Sequence, residues 1–98
     1  MISKLVLFTG ALVCLSPAFA SDAEAGKAKS AVCSACHGQG GISTNPMWPN
    51  IAGQQSGYLK KQLTEFRDGI RKDPLMTPIA ASLTNEDIDN LSAYFASL

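Results

Sequence analysis

Cys33-Ser34-Ala35-Cys36-His37 decides how this chain is read. Residues three and four apart share one helical face, so a helix through this stretch points both thiols and the imidazole the same way. C-x-x-C-H is the attachment pattern for c-type haem. Two sulfurs can form thioethers with two vinyl groups, and the imidazole can rise to the iron from the same side. Competing chemistries fit less well. A thioredoxin-like dithiol needs a βαβ setting, and the chain has no strand pattern. A disulfide between Cys33 and Cys36 closes a loop too small to stabilise much. Zinc takes four N, S or O ligands, and only three soft ones stand here.

Upstream of this motif lies a different kind of segment. Lys4 supplies a positive start, Leu5 to Leu15 is apolar apart from Thr9 and Gly10, and Ala18-Phe19-Ala20 has the small-x-small form of a cleavage site. That is the anatomy of a secretory signal peptide. The apolar run falls short of the roughly 20 residues a membrane span needs; an uncleaved anchor is the alternative. A lipoprotein site at Cys14 fits poorly, because Val13 is bulkier than the residue such processing prefers. Residues 1–20 are thus expected to be a signal peptide and residues 21–98 a single periplasmic domain.

Cleavage removes Cys14 and leaves Cys33 and Cys36 as the only cysteines, both accounted for by one motif. It also removes Lys4 from a chain with 8 basic and 8 acidic residues, so the exported part carries a net charge near −1. Nucleic acid asks for a basic patch, so it is not an expected partner. A core this small gains only ~3–5 kcal/mol by itself; a buried macrocycle would add the missing apolar surface.

Downstream and around the motif, the pattern is helical. Ser21-Asp22-Ala23-Glu24 has the form of a capping box and opens a first helix expected over residues 22–36, with Ala25, Ala28 and Val32 on one face. Gly38, Gly40 and Gly41 break it. Residues 38–56, with Pro46 and Pro49, form a long loop, and loops of that length are usually functional. Leu59, Leu63, Phe66 and Ile70 make the stripe of a second helix, ended by Gly69 and Pro74. One short helical turn is expected after Pro78. Thr84 caps a final helix, with Glu86 and Asp87 in its first turn and Ile88, Leu91, Phe95 and Leu98 on its apolar face. The class is all-α, with three main helices and long loops.

His37 is the only histidine, so it is the proximal ligand if haem is bound. A sixth ligand must then be a thioether, from Met47 or Met76, unless the site is open. Met76 sits between Pro74 and Pro78, beyond a helix that can carry the chain to the opposite haem face, which favours it. Met47 lies beside Trp48 and Pro49. The Nδ1–H of His37 needs a carbonyl partner, and this loop is its expected source, which puts Met47 on the proximal side. Either methionine could instead fill core. Trp48 could wall the haem or fill core. Tyr58 could reach a haem propionate or simply occupy the second helix. Lys27, Lys29, Lys60, Lys61, Arg67, Arg71 and Lys72 form either a docking ring or a solvated face.

Further stretches carry a family resemblance: Ala25-Gly26-Lys27, Cys33 to Gly38, Trp48-Pro49-Asn50-Ile51-Ala52-Gly53-Gln54, Tyr58-Leu59-Lys60-Lys61-Gln62-Leu63, and Leu83-Thr84-Asn85-Glu86-Asp87-Ile88 running into Ala93-Tyr94-Phe95. In order and spacing they resemble the monohaem class I c-type cytochromes of bacteria. The nearest likeness is to one half of the dihaem periplasmic cytochromes and to their short single-domain relatives. The likeness covers residues 22–98. It implies the class I cytochrome c fold around one covalent haem c, with first and last helices crossing near Gly26 and Tyr94 or Phe95. It implies that Pro49 offers its carbonyl to His37, and that Met76 is the distal ligand. The chain holds one copy of the pattern, so it works alone or pairs with another subunit.

The expected function is a carrier of single electrons between respiratory or dehydrogenase complexes and a terminal oxidase or reductase, not an enzyme. No acid–base constellation is visible, and the sole histidine is consumed. The alternative is the haem subunit of a redox enzyme, either an electron-accepting dehydrogenase subunit or a peroxidase-like protein. A third reading is a small interaction module without haem.

Overall fold

The computed structural model describes residues 21–98; the expected signal peptide, residues 1–20, lies outside them. Among the described residues there are five α-helices and no strand: α1 Ala23–Lys29, α2 Ala31–His37, α3 Ser56–Arg67, α4 Met76–Ala80 and α5 Asn85–Ala96, with a short 3-10 turn at Gln39–Gly41. None is long and apolar enough to cross a membrane.

The expected first helix is two. The Ser30 hydroxyl donates back to the Lys27 carbonyl at 2.7 Å, and the Ser30 N–H reaches the same oxygen at 3.1 Å. A serine that bonds back into its own helix bends it, and here the chain turns before resuming as α2. The cap also lies one residue later than the S-x-x-E pattern suggests: Asp22 Oδ1 accepts from the N–H groups of Glu24 and Ala25. Ala25 and Ala28 are exposed and Val32 borders the cavity described below, whereas Gly26 and Ser30 are buried.

Gly26 is where α1 meets α5. A Cβ there would run into the Asn90 carbonyl and come within 2.9 Å of the Tyr94 Cβ. The crossing is tied by the Asp22 N–H, which donates to Asn90 Oδ1 at 2.8 Å. On its other side α5 packs against α3, which in turn packs on α4. The core between them is Leu59, Phe66, Ala80, Leu83, Ile88, Leu91 and Phe95. Cys33, Ile51, Leu63 and Met76 pack on its rim.

α3 stops at Arg67, short of Ile70. Gly69, at φ +74°, takes the left-handed conformation that ends a helix without steric cost. Its N–H reaches the Phe66 carbonyl, and the Ile70 N–H reaches that of Glu65 at 2.9 Å, the paired bonds of a Schellman end. The turn throws Ile70 out to 74 % exposure. Leu98, likewise, is half-exposed beyond the end of α5. α5 begins as expected at Thr84, with a full capping box to Asp87. α4 begins at Met76, before Pro78 instead of after it. Pro78 falls among the first helical positions, whose N–H groups have no intrahelical partner, so its missing donor costs nothing there.

Candidate haem site

α2 carries Cys33, Cys36 and His37 along one wall of a cavity of about 750 Å³, within the roughly 300–1,000 Å³ range of cofactor pockets. Trp48, Pro49 and Ile51 form a second wall, from the long loop. Leu59, Leu63 and Phe66 of α3 and Leu91 and Phe95 of α5 form its apolar floor, and Met76 and Ile79 of α4 line it as well. A wide, mostly apolar slot with two thiols and an imidazole on one wall fits a flat apolar macrocycle held through sulfur. Neither cysteine is in a disulfide. Burial pushes the Cys33 thiol above its ordinary value, against a smaller opposing effect of its backbone hydrogen bond. Among the described residues no group of three or more Cys, His, Asp or Glu could close around a metal ion by itself.

His37 Nδ1 lies 2.8 Å from the Pro49 carbonyl oxygen. A carbonyl only accepts, so Nδ1 carries a proton and donates, and in the neutral tautomer this bond selects, Nε2 keeps its lone pair. The loop that brings Pro49 there is fixed by side chains: Asn50 Oδ1 accepts from the Ser43 N–H, and Asn45 Oδ1 accepts from the Met47 N–H at 2.9 Å. Trp48 is half-buried along the cavity, and Met47 lines it at 81 % exposure. Tyr58 lines it too and is half-exposed.

Met76 is held by its own turn. Asp73 Oδ1 accepts from the N–H groups of Leu75 and Met76 at 2.9 and 2.8 Å, and the Asp73 N–H donates to Thr77 Oγ1 at 2.8 Å. Those backbone bonds, that to Met76 first, hold the Asp73 carboxyl below the ordinary range. The sequence signal for this role is the residue type alone, since Asp readily folds its side chain back onto N–H groups just ahead of it in the chain.

The seven cations of the supposed docking ring do not behave alike. Lys29 pairs with Asp87 at 3.5 Å and Lys60 with Asp89 at 2.9 Å. Arg67 bonds Asp68, Asn85 and the Leu83 carbonyl. Arg71 lines the cavity beside Gln62.

The family model described as Cytochrome c matches residues 23–98. Cytochrome c4 of Pseudomonas aeruginosa is 47 % identical over 78 residues, which cover 80 % of this chain and 39 % of that protein. Cytochrome c-554(548) of Halomonas halodenitrificans is 44 % identical over 81 residues, covering 80 % of this chain and 98 % of that one. The crystal structure of reduced recombinant cytochrome c4 from Pseudomonas stutzeri superposes with a TM-score of 0.75 at 42 % identity, over 80 % of this chain and 46 % of that one. The chain thus spans less than half of these two cytochromes c4 and nearly all of the c-554(548) relative. An all-α fold, a C-x-x-C-H wall on an apolar cavity and these matches together place the chain in the cytochrome c family of covalent haem proteins, as a class I c-type cytochrome.

Proposed function

We propose that this chain is an exported carrier of single electrons, holding one haem c through Cys33 and Cys36 with His37 and Met76 as axial ligands. Residues 1–20 direct it to the periplasm and are removed. The observation that carries this reading is the convergence of Cys33, Cys36, His37 and Met76 on one apolar cavity. A haem held there supplies the one-electron iron couple, at a potential raised by thioether ligation and burial.

Each residue has a task in that reading. The two sulfurs prevent loss of the cofactor. The Pro49 carbonyl fixes the His37 tautomer, so that Nε2 is the ligating atom. Asp73 fixes the backbone at Met76. Leu59, Phe66, Leu91 and Phe95 keep water from the buried face. The only histidine is His37, which this reading uses as a ligand, and no acid or base is needed to pass an electron through an exposed edge. Redox partners of this kind make small, short-lived contacts; they are respiratory complexes, dehydrogenases, and a terminal oxidase or reductase.

Met76→Ala tests the ligand set. The far-red ferric sulfur-to-iron absorption disappears and the ferrous protein binds carbon monoxide, while Met47→Ala keeps the wild-type spectrum. A wild type that already binds carbon monoxide readily, with Met76→Ala unchanged from it, removes Met76 from the site and turns the reading toward a peroxidase-like protein.

A further inference from the structure

Resting on the reading of Met76 as an axial ligand, we propose that Arg67 is a positioning residue for that sulfur: its guanidinium closes the neck of the segment, residues 68–83, that presents Met76. The chain leaves α3 at Arg67 and re-enters the helical body at Thr84, the cap of α5. Met76 stands midway along this excursion. Arg67 reaches both limbs at its base. Nε donates to Asp68 Oδ1 at 3.0 Å on the outgoing limb. Nη1 donates to Asn85 Oδ1 at 2.7 Å and to the Leu83 carbonyl at 3.3 Å on the returning one.

The excursion needs such a tie. None of residues 68–79 is buried; burial begins only on the returning limb, at Ala80 and Leu83. Little apolar contact therefore fixes the outgoing limb, and hydrogen bonds do the holding. The Gly69 and Ile70 N–H groups are held by the Phe66 and Glu65 carbonyls. Asp73 and Thr77 bond each other around Met76. Those bonds stiffen the segment, but none of them joins its two ends. Among the described residues, the hydrogen bonds from the end of α3 to the start of α5 are those of Arg67. A compact segment with close ends opens as one piece, and the neck decides how readily.

The setting of Arg67 matches this role. Its side chain is only 20 % exposed, whereas Lys29 and Lys60, each paired with a single carboxylate, are more than half exposed. A planar guanidinium can hold acceptors on two limbs in fixed geometry, which the point charge of a lysine cannot. Bonds from a charged donor are also stronger than neutral ones. Arg67 thus acts on Met76 through the backbone that carries it, without touching the sulfur.

The test uses ferric holoproteins of wild type, Arg67→Met, Arg67→Lys and Asp22→Ala, titrated with imidazole. Imidazole reaches the iron only when Met76 leaves it, and loss of the far-red sulfur-to-iron absorption reads the exchange. Arg67→Met keeps an apolar stem and is expected to bind imidazole about tenfold more tightly, the worth of one charge-assisted hydrogen bond across the neck. Arg67→Lys, with the charge but not the fork, also binds more tightly than wild type. Asp22→Ala removes the cap of α1, away from the neck, and keeps the wild-type affinity although it lowers stability. An Arg67→Met or Arg67→Lys protein indistinguishable from wild type, or an equal rise in Asp22→Ala, overturns the assignment. If Arg67→Met yields no holoprotein, Asn85→Ala removes one acceptor of the bridge at an exposed position; raised affinity supports the clamp and unchanged affinity overturns it. A wild type without pigment, or without the far-red absorption, is a failure of the haem or Met76 reading itself and is recognised before any variant is compared.

Discussion

Gly26→Ala puts the helix crossing to a quantitative test. The added methyl meets the Asn90 carbonyl and stands 2.9 Å from the Tyr94 Cβ. Both obstacles belong to α5, one of them backbone, so neither can swing aside as the tip of a long side chain could. Overpacking typically costs about 1–3 kcal/mol, and a backbone obstacle puts this site at the upper end. Forcing α1 away from α5 also strains the bond from the Asp22 N–H to Asn90 Oδ1, worth about 1 kcal/mol. Alanine returns about 1 kcal/mol through its better helix propensity. The net loss is about 3 kcal/mol. For a domain of this size each kcal/mol moves Tm by roughly 4–8 °C, so Tm falls by roughly 12–24 °C. Urea unfolding of the holoprotein, followed by circular dichroism, measures it. Gly57→Ala is the control: nothing lies within 4 Å of a Cβ there, and it is expected to be neutral or stabilising by up to about 1 kcal/mol. If Gly26→Ala unfolds within about 1 kcal/mol of wild type, α1 and α5 do not cross as closely as described.

Thr84→Ala removes the α5 cap, in which Thr84 Oγ1 accepts from the Asp87 N–H at 3.0 Å; a loss of about 0.5–2 kcal/mol is expected in urea unfolding, and no change means the box is idle. Asp87 also titrates in that box: the Thr84 N–H first, then the Thr84 hydroxyl and Lys29, hold its carboxyl below the ordinary value. With the folded value under the unfolded one of about 3.9, its stabilisation is complete above that pH and is lost as pH falls through the lower folded value. Asp87→Asn should flatten this acid limb in urea midpoints taken at successive pH values; parallel limbs would show that another group sets it. Ile70→Ser should change stability by less than about 0.5 kcal/mol, because the side chain is 74 % exposed; a core-sized loss in thermal unfolding would return Ile70 to the stripe of α3.

What could be read in advance was what is periodic or chemically singular. Leu59, Leu63 and Phe66 on α3, and Ile88, Leu91 and Phe95 on α5, repeat with the helix and face inward. Thr84 announced its cap by residue type and position. The Gly26 crossing followed from family likeness, not from periodicity, since a glycine has no side chain to register in an apolar pattern. The break at Ser30 was hidden because serine fits a helix interior and a bend equally well; a hydroxyl turned back to Lys27 decides which. Ile70 kept perfect helical spacing while Gly69 had already ended the helix, so a local backbone conformation overrode the pattern. Met76 opens its turn before Pro78, where Asp73 Oδ1 accepts from the Leu75 and Met76 N–H groups. Arg71 is exposed, as a surface charge should be, yet its guanidinium lies over Phe66, which nothing in its spacing announces, because the chain doubles back after α3.

The most direct test of the central claim is the mass of the denatured protein after expression with haem-attachment machinery, compared with that of a Cys33→Ser/Cys36→Ser variant. The wild type should weigh residues 21–98 plus one haem, its colour surviving denaturation, and the variant should give up its pigment to acid-acetone. A wild type with the mass of bare polypeptide, or a double-serine variant that keeps its colour through extraction, would contradict the account.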